Sequence, residues 1–378
     1  MHEALPVAPA FIPGLELARV FYLEAVRPLL DQEFPGLPHT AALIGPGSEV
    51  QGFDSQRSTD HDWGPRLQIF LSDAHAASAD SVIEMLAARL PAEVRGYPTV
   101  FAASDAKGEQ ASHWVTVAGL RTWLIEKLGF DPAAGVDLLD WLAVPTQVLA
   151  EITGGAVFHD GLGEGAGTGV AADLAPGGLG AVRAALAWYP RDVWLYVLSC
   201  QWHRIDQEEP FPGRCAEAGD ELGSAMVTAR LVRDLMRLVL LVQRRYPPYS
   251  KWLGTAFART PAAAELLPML HAALSAPRWP DRESSLCEAY EAAARLHNEL
   301  SLTPPVEPVV RPRFYERPYR VLEAGRFVSA LRDQILNERI RRLPPIGAVD
   351  QFIDSTDALG DIALLRAAVA AELLADIA

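Results

Sequence analysis

The stretch "LIGPGSEVQGFDSQRSTDHDWGPRLQIFL", Leu43 to Leu71, decides how the chain is read. It joins two apolar runs through a Gly-Ser pair and, after a gap of eleven residues, two aspartates on alternate positions. The preceding "TAALIG" has the short unbroken apolar character of a buried strand, and Asp60 to Leu71 reads as a second strand. Gly47 and Ser48 then fall at a tight turn, where a missing side chain lets backbone N–H groups approach an anionic oxygen and the hydroxyl adds a donor. On an extended strand Asp60 and Asp62 project to one face and His61 to the other. Two carboxylates on one face can share a divalent cation. Mg²⁺ in particular is held by one or two carboxylates together with substrate phosphates and water. Turn and aspartates together suit a metal-bound nucleoside triphosphate.

Outward from this stretch the pattern is α/β up to about residue 120. Leu15, Leu17, Val20, Phe21, Leu23, Val26, Leu29 and Leu30 are spaced for an amphipathic helix over 14–33, kinked or broken at Pro28. Residues 80–90 read as a helix capped by Ser78 or Asp80, and "TVFAA" and "HWVTV" as further strands. Beyond Leu120 the periodicity is helical almost throughout. The fold class expected is α+β, a small mixed-sheet domain followed by an all-helical one. The boundaries expected are 1–150 for the first domain, a flexible Gly- and Ala-rich connection at 151–180, and 181–378 for the helical domain.

Half of the 378 residues are apolar, enough for a full core. Three cysteines far apart and without a CxxC pair argue against a disulfide framework or a structural zinc site. No basic and apolar leader opens the chain, and "LMRLVLLV" is far shorter than the ~20 residues of a membrane span, so the expectation is a cytoplasmic protein with no membrane partner. Residues 1–160 carry 9 Lys and Arg against 21 Asp and Glu, and residues 161–378 carry 24 against 27, within a net charge of −15. That acidity disfavours nucleic acid as a partner, because phosphate neutralisation dominates such binding. Arg230, Arg233, Arg237, Arg244, Arg245, Lys251 and Arg259 nevertheless crowd one stretch and leave room for a local anion site.

Strand, Gly-Ser turn, gap, Asp-x-Asp and apolar continuation resemble the DNA polymerase beta-like nucleotidyltransferase superfamily. "GSEVQGFDSQRSTDHDWGPRLQIFL", "WYPRDVWLYVLSCQWHRIDQEEPF" and "YPPYSKWLGTAF" also resemble an uncharacterised bacterial family of nucleotidyltransferase-like proteins. The resemblance implies transfer of a nucleoside monophosphate from a Mg²⁺-bound NTP, with ATP as the first candidate, to a small-molecule or protein acceptor, releasing pyrophosphate. It further implies that Gly47 and Ser48 cradle the β/γ-phosphates and that Asp60 and Asp62 hold the metal. Many members of that superfamily carry a third carboxylate on a later strand. The matching strand here is expected to be "HWVTV", with Thr116 at that position, a departure that leaves open a nucleotide-binding sensor or scaffold without catalysis.

Candidates for an acceptor-side base are Glu208 and Glu209 in "QEEPFPGR", with Glu209 preferred; Asp105 and Glu109 read first as a solvated turn, and Asp220 and Glu221 as complements to a helix N-terminus. Arg230, Arg233, Asp234 and Arg237 recur at spacings of three and four, so they line one face of an otherwise apolar helix, which suggests a cleft. The two-domain layout also resembles that of aminoglycoside nucleotidyltransferases, and this resemblance implies that Lys251, beside Tyr249 and Trp252, is a candidate for contact with the triphosphate. His159 and His203 form no metal pattern such as HExxH, and Asp60-His61-Asp62 lacks the supporting histidines of an HD phosphohydrolase.

Overall fold

The computed structural model describes residues 10–60, 63–101, 112–164 and 178–374. The chain divides into two compact units, one of Met1–Val136 with Val148–Ala187, the other of Asp137–Gln147 with Trp188–Ala378. The first unit therefore runs on past residue 150. The reason is a strand unforeseen in the sequence, Ala156–Asp160, which lies in what reads as the start of a Gly- and Ala-rich connection. Residues 161–164 and 178–185 of that stretch are helical, while 165–177 lie outside the described residues.

The strands of the first unit are β1 (His39–Leu43), β2 (Arg66–Leu71), β3 (Glu93–Val94), β4 (Tyr97–Pro98), β5 (Val100–Phe101), β6 (Ser112–Gly119) and β7 (Ala156–Asp160). Five of them form a mixed sheet in the order β5-β6-β2-β1-β7, and β3 and β4 pair as a separate hairpin. β1 is antiparallel to both β2 and β7, whereas β2 and β6 run parallel. A parallel pair needs a crossover, which the helix Ala79–Arg89 supplies. The fold is α+β, with β1 and β2 at its centre and every residue of β1 buried.

Alternation along β2 sorts its side chains. Leu67, Ile69 and Leu71 join Val115 and Val117 of β6, Phe21, Tyr22 and Leu30 of the N-terminal helices, and Val82 and Leu86 of the crossover helix in one core. Arg66, Gln68 and Phe70 therefore share the other face, where Phe70 packs on Trp123 with ring centroids 5.1 Å apart. The N-terminal helix is interrupted as its proline foretells: Gly14–Phe21 and Arg27–Glu33 are α-helical, and Tyr22–Val26 is a π-turn just before Pro28.

The second unit is built of helices, joined by a long irregular segment over 301–324 that carries isolated bridges at Arg311–Val321 and Phe314–Arg317. Its helix Arg191–Glu208 is buried from Val193 to Trp202, and Trp202 stacks on Phe327 at 4.6 Å while its indole N–H reaches Nδ1 of His297 at 3.2 Å. The long helix Glu221–Val242 is capped by Asp220, whose carboxylate accepts from the Gly223 N–H at 2.7 Å. No helix among the described residues is long and apolar enough to cross a membrane.

Candidate functional site

Because β1 and β2 are antiparallel, the end of β1 and the start of β2 meet at one end of the sheet, and the whole connection 44–65 lies there. Gln68 ties it down just past the ladder, accepting from the Ile44 N–H at 3.1 Å and donating to the Ile44 carbonyl at 3.0 Å. Gly47 has φ +148°, a conformation that side chains rarely adopt. Next comes one coiled turn, with the Gly52 N–H on the Glu49 carbonyl and the Phe53 N–H on the Ser48 carbonyl at 2.9 and 2.7 Å. Among the described residues the N–H groups of Gly47, Ser48 and Glu49 have no hydrogen-bond acceptor, the condition of a helix N-terminus before an anion arrives.

Charged side chains brace the turn. Glu49 is 2% exposed and accepts from Nε of Arg66 at 2.6 Å, while Nη2 of Arg66 donates to the Pro46 carbonyl at 2.6 Å. Asp54 accepts from the Gly14 N–H at 2.7 Å and from the Trp63 indole at 3.1 Å, fastening the first helix to the same connection. Glu49, Asp54 and Arg66 escaped the sequence reading. The signal available was weak: an acid directly after Gly-Ser, and an arginine opening an apolar strand.

Asp60 does not stand on a strand. It ends the 3₁₀ turn Gln56–Asp60, where it is exposed, and β2 begins only at Arg66; the Gly and Pro of "WGPR" delay the extended run. The strand geometry expected for Asp60 is thus corrected, while His61 and Asp62 lie outside the described residues. Thr116 sits on β6 opposite Gln68 of the neighbouring parallel strand, and it is exposed. The described residues of β6 include no carboxylate. Asp105 and Glu109 lie outside the described residues.

The candidates from the second unit are engaged within that unit. Glu209 is not a solvated loop residue: it is 6% exposed, and its two oxygens accept from the Leu322 and Ala324 N–H groups at 2.6 and 3.1 Å. Burial pushes its carboxyl up to about 7 against the pull of those N–H donors. This is a buried carboxylate that pins a loop, with each oxygen already held by a backbone N–H. Arg230 forms a two-pronged pair with Glu208 at 3.0 and 2.6 Å. Arg233 reaches Asp354 at 3.3 Å, Arg237 donates to the Asp350 carbonyl at 2.6 Å, and Arg204 meets the buried Asp234 at 3.3 Å. Each of these arginines thus has a partner within the second unit, the Arg230–Glu208 and Arg233–Asp354 pairs standing at its surface. Lys251 is exposed, with its ammonium 5.0 Å from the Trp252 ring.

Two expected results follow from these placements. A Cβ on Gly47 would lie 2.0 Å from Nη2 of Arg66 and 2.8 Å from Oε2 of Glu49, at an unfavourable φ. Gly47→Ala is expected to destabilise the protein by about 1–3 kcal/mol in urea unfolding; a loss under ~0.5 kcal/mol would show that the turn relaxes freely. For Glu209 the folded carboxyl holds its proton up to about pH 7, beyond the point where an unfolded glutamate has released it. Its contribution is therefore present at low pH and lost as pH rises towards 7. Glu209→Gln is expected to remove that decline between about pH 5 and 7.5 while keeping the protein folded at pH 8. An unchanged decline in the variant would place its origin elsewhere.

The comparisons add little to this geometry. Residues 141–253 match a family model described as a domain of unknown function, DUF4037. The match takes in Glu209, Arg230, Arg233 and Lys251 but stops short of the Gly47–Asp60 connection, and it spans less than a third of the chain. No curated protein and no solved structure matches the chain.

Proposed function

We propose that the protein is a nucleotidyltransferase that moves a nucleoside monophosphate from an NTP, ATP first among them, to the hydroxyl of a small molecule or protein, with release of pyrophosphate. The observation that carries this reading is the Gly47–Ser48 turn with its three unsatisfied N–H groups, set at the same sheet end as the connection that holds Asp60. Those N–H groups suit phosphate oxygens. An exposed aspartate after an eleven-residue gap, with Asp62 two further, is the carboxylate pair that Mg²⁺ accepts when phosphates and water complete its shell. Bound Mg²⁺ supplies neutralisation of the triphosphate charge.

In this reading the acceptor hydroxyl gives its proton to solvent as its oxygen attacks the α-phosphorus, the bond from α-phosphorus to its bridging oxygen breaks, and pyrophosphate leaves with the electron pair. The turn's N–H groups hold the leaving phosphates in line, so catalysis rests on positioning and charge compensation. A second reading is a nucleotide-binding sensor or scaffold without transfer. The commitment of both Glu209 oxygens to a loop favours it, since that removes the preferred base.

Calorimetry of ATP, GTP, CTP and UTP with Mg²⁺ and with EDTA tests the common ground of both readings. Saturable binding to at least one NTP that requires Mg²⁺ is the expected result, and failure of the folded protein to bind any of the four overturns both. Pyrophosphate release in an acceptor screen then separates transferase from sensor.

A further inference from the structure

The Gly47–Ser48 turn offers N–H groups but needs a cation to hold a polyanion. The nearest cation within the turn's own unit is Arg66. Its Nη2 lies where a Cβ on Gly47 would stand, 2.0 Å from that point, so the guanidinium covers the open face of the glycine. Nε and one Nη2 hydrogen are used, on Glu49 and the Pro46 carbonyl. Among the described residues Nη1 has no acceptor, and the side chain remains 20% exposed. A guanidinium carries five N–H donors in a planar fork. Here one edge is anchored in the protein and further donors remain unspent, the arrangement by which arginine recognises phosphate oxygens in pairs.

Glu49 explains why the fork stays in place. It is nearly inaccessible, receives the Ser48 hydroxyl at 3.5 Å and bonds Arg66 at 2.6 Å, so it fixes the guanidinium over the turn. The alternating faces of β2 supply the direction: Arg66 shares the Gln68 and Phe70 face, and Gln68 is bound to Ile44 at the same sheet end.

We propose that Arg66 is the residue that contacts the triphosphate above the Gly47–Ser48 turn, with Glu49 as the buried positioning residue that orients it. This assignment rests on the nucleotide-binding reading given above. On binding, the free donors of Arg66 take phosphate oxygens while Nε keeps Glu49, and the turn's N–H groups take the remaining oxygens.

The test is calorimetry with Mg²⁺-ATP and with inorganic tripolyphosphate plus Mg²⁺, on wild type, Arg66→Lys, and a double variant Arg66→Met with Glu49→Gln. The double variant removes both charges together, so no buried carboxylate is left unpaired, and urea unfolding verifies that it folds. Wild type is expected to bind both probes. Arg66→Lys and the double variant are each expected to weaken both by on the order of 10- to 100-fold, the worth of a charge-assisted contact. A folded double variant that binds tripolyphosphate like wild type overturns the role of Arg66 and leaves nucleotide binding standing. A wild type that binds neither probe overturns the nucleotide reading and this assignment with it.

Discussion

Replacing Asp60 and Asp62 together by alanine is expected to weaken Mg²⁺-dependent NTP binding by more than about 100-fold in calorimetry. Loss of a residue that merely hydrogen-bonds a metal ligand already costs roughly 10- to 100-fold, and this variant removes both carboxylates of the proposed cation site. Little stability is expected to go with it, because Asp60 is exposed at the end of a 3₁₀ turn and surface changes usually stay within about 0.5 kcal/mol. The contrast with Gly47→Ala is informative: that variant deforms the turn and costs stability, whereas the double aspartate variant removes the carboxylates and leaves the Gly47–Ser48 backbone as it is. Undiminished binding with both carboxylates gone would mean that the nucleotide is held without them, and the transferase reading would fall.

The second large effect is expected in the helical unit, at Asp350. Its carboxylate accepts from the Thr146 N–H at 2.9 Å and the Thr146 hydroxyl at 3.1 Å, and it is buried beside Arg237, whose guanidinium bonds the Asp350 carbonyl. Burial pushes the Asp350 carboxyl up, and Arg237 and the Thr146 donors pull it back. These residues, with Tyr189 and Gln201, line a cavity with room for about one water. Asp350→Ala strands a buried N–H, at about 1–3 kcal/mol, and removes the counter-charge of Arg237, so a total loss of about 3–4 kcal/mol is expected in urea unfolding. Asp350→Asn keeps an acceptor for the N–H and is expected to cost about half as much. Equal losses would show that charge rather than hydrogen bonding decides the site. A loss under ~1 kcal/mol in both would show that Thr146 is satisfied by other means.

Local signals in the sequence determined a good part of this architecture. The apolar "TAALIG" and the later half of the Asp60–Leu71 reading became the two central strands, Pro28 marked the interruption of the first helix, and Asp220 caps the long helix as an acid at a helix start should. The α+β class followed from the change of period near residue 120. The Gly-Ser turn was legible too, because a positive φ demands glycine wherever it falls in the chain.

Tertiary structure decided the rest. Strand β7 was hidden because "AVFHD" is only five residues long and adjoins a glycine-rich stretch; it is a strand through its pairing with β1, over a hundred residues away. Arginines at helical spacing look alike whether they line a cleft or brace a fold, and only their partners show that Arg230 meets Glu208 and Arg233 meets Asp354. The same holds for Glu209, whose partners are backbone N–H groups at residues 322 and 324 that no local pattern names. Arg66 was passed over as the polar start of a strand, and its place over Gly47 comes from the antiparallel return of β2 beside β1. Period and turn chemistry act over a few residues and are written in the order of the chain, whereas the partner of a buried charge is set by contacts between distant segments.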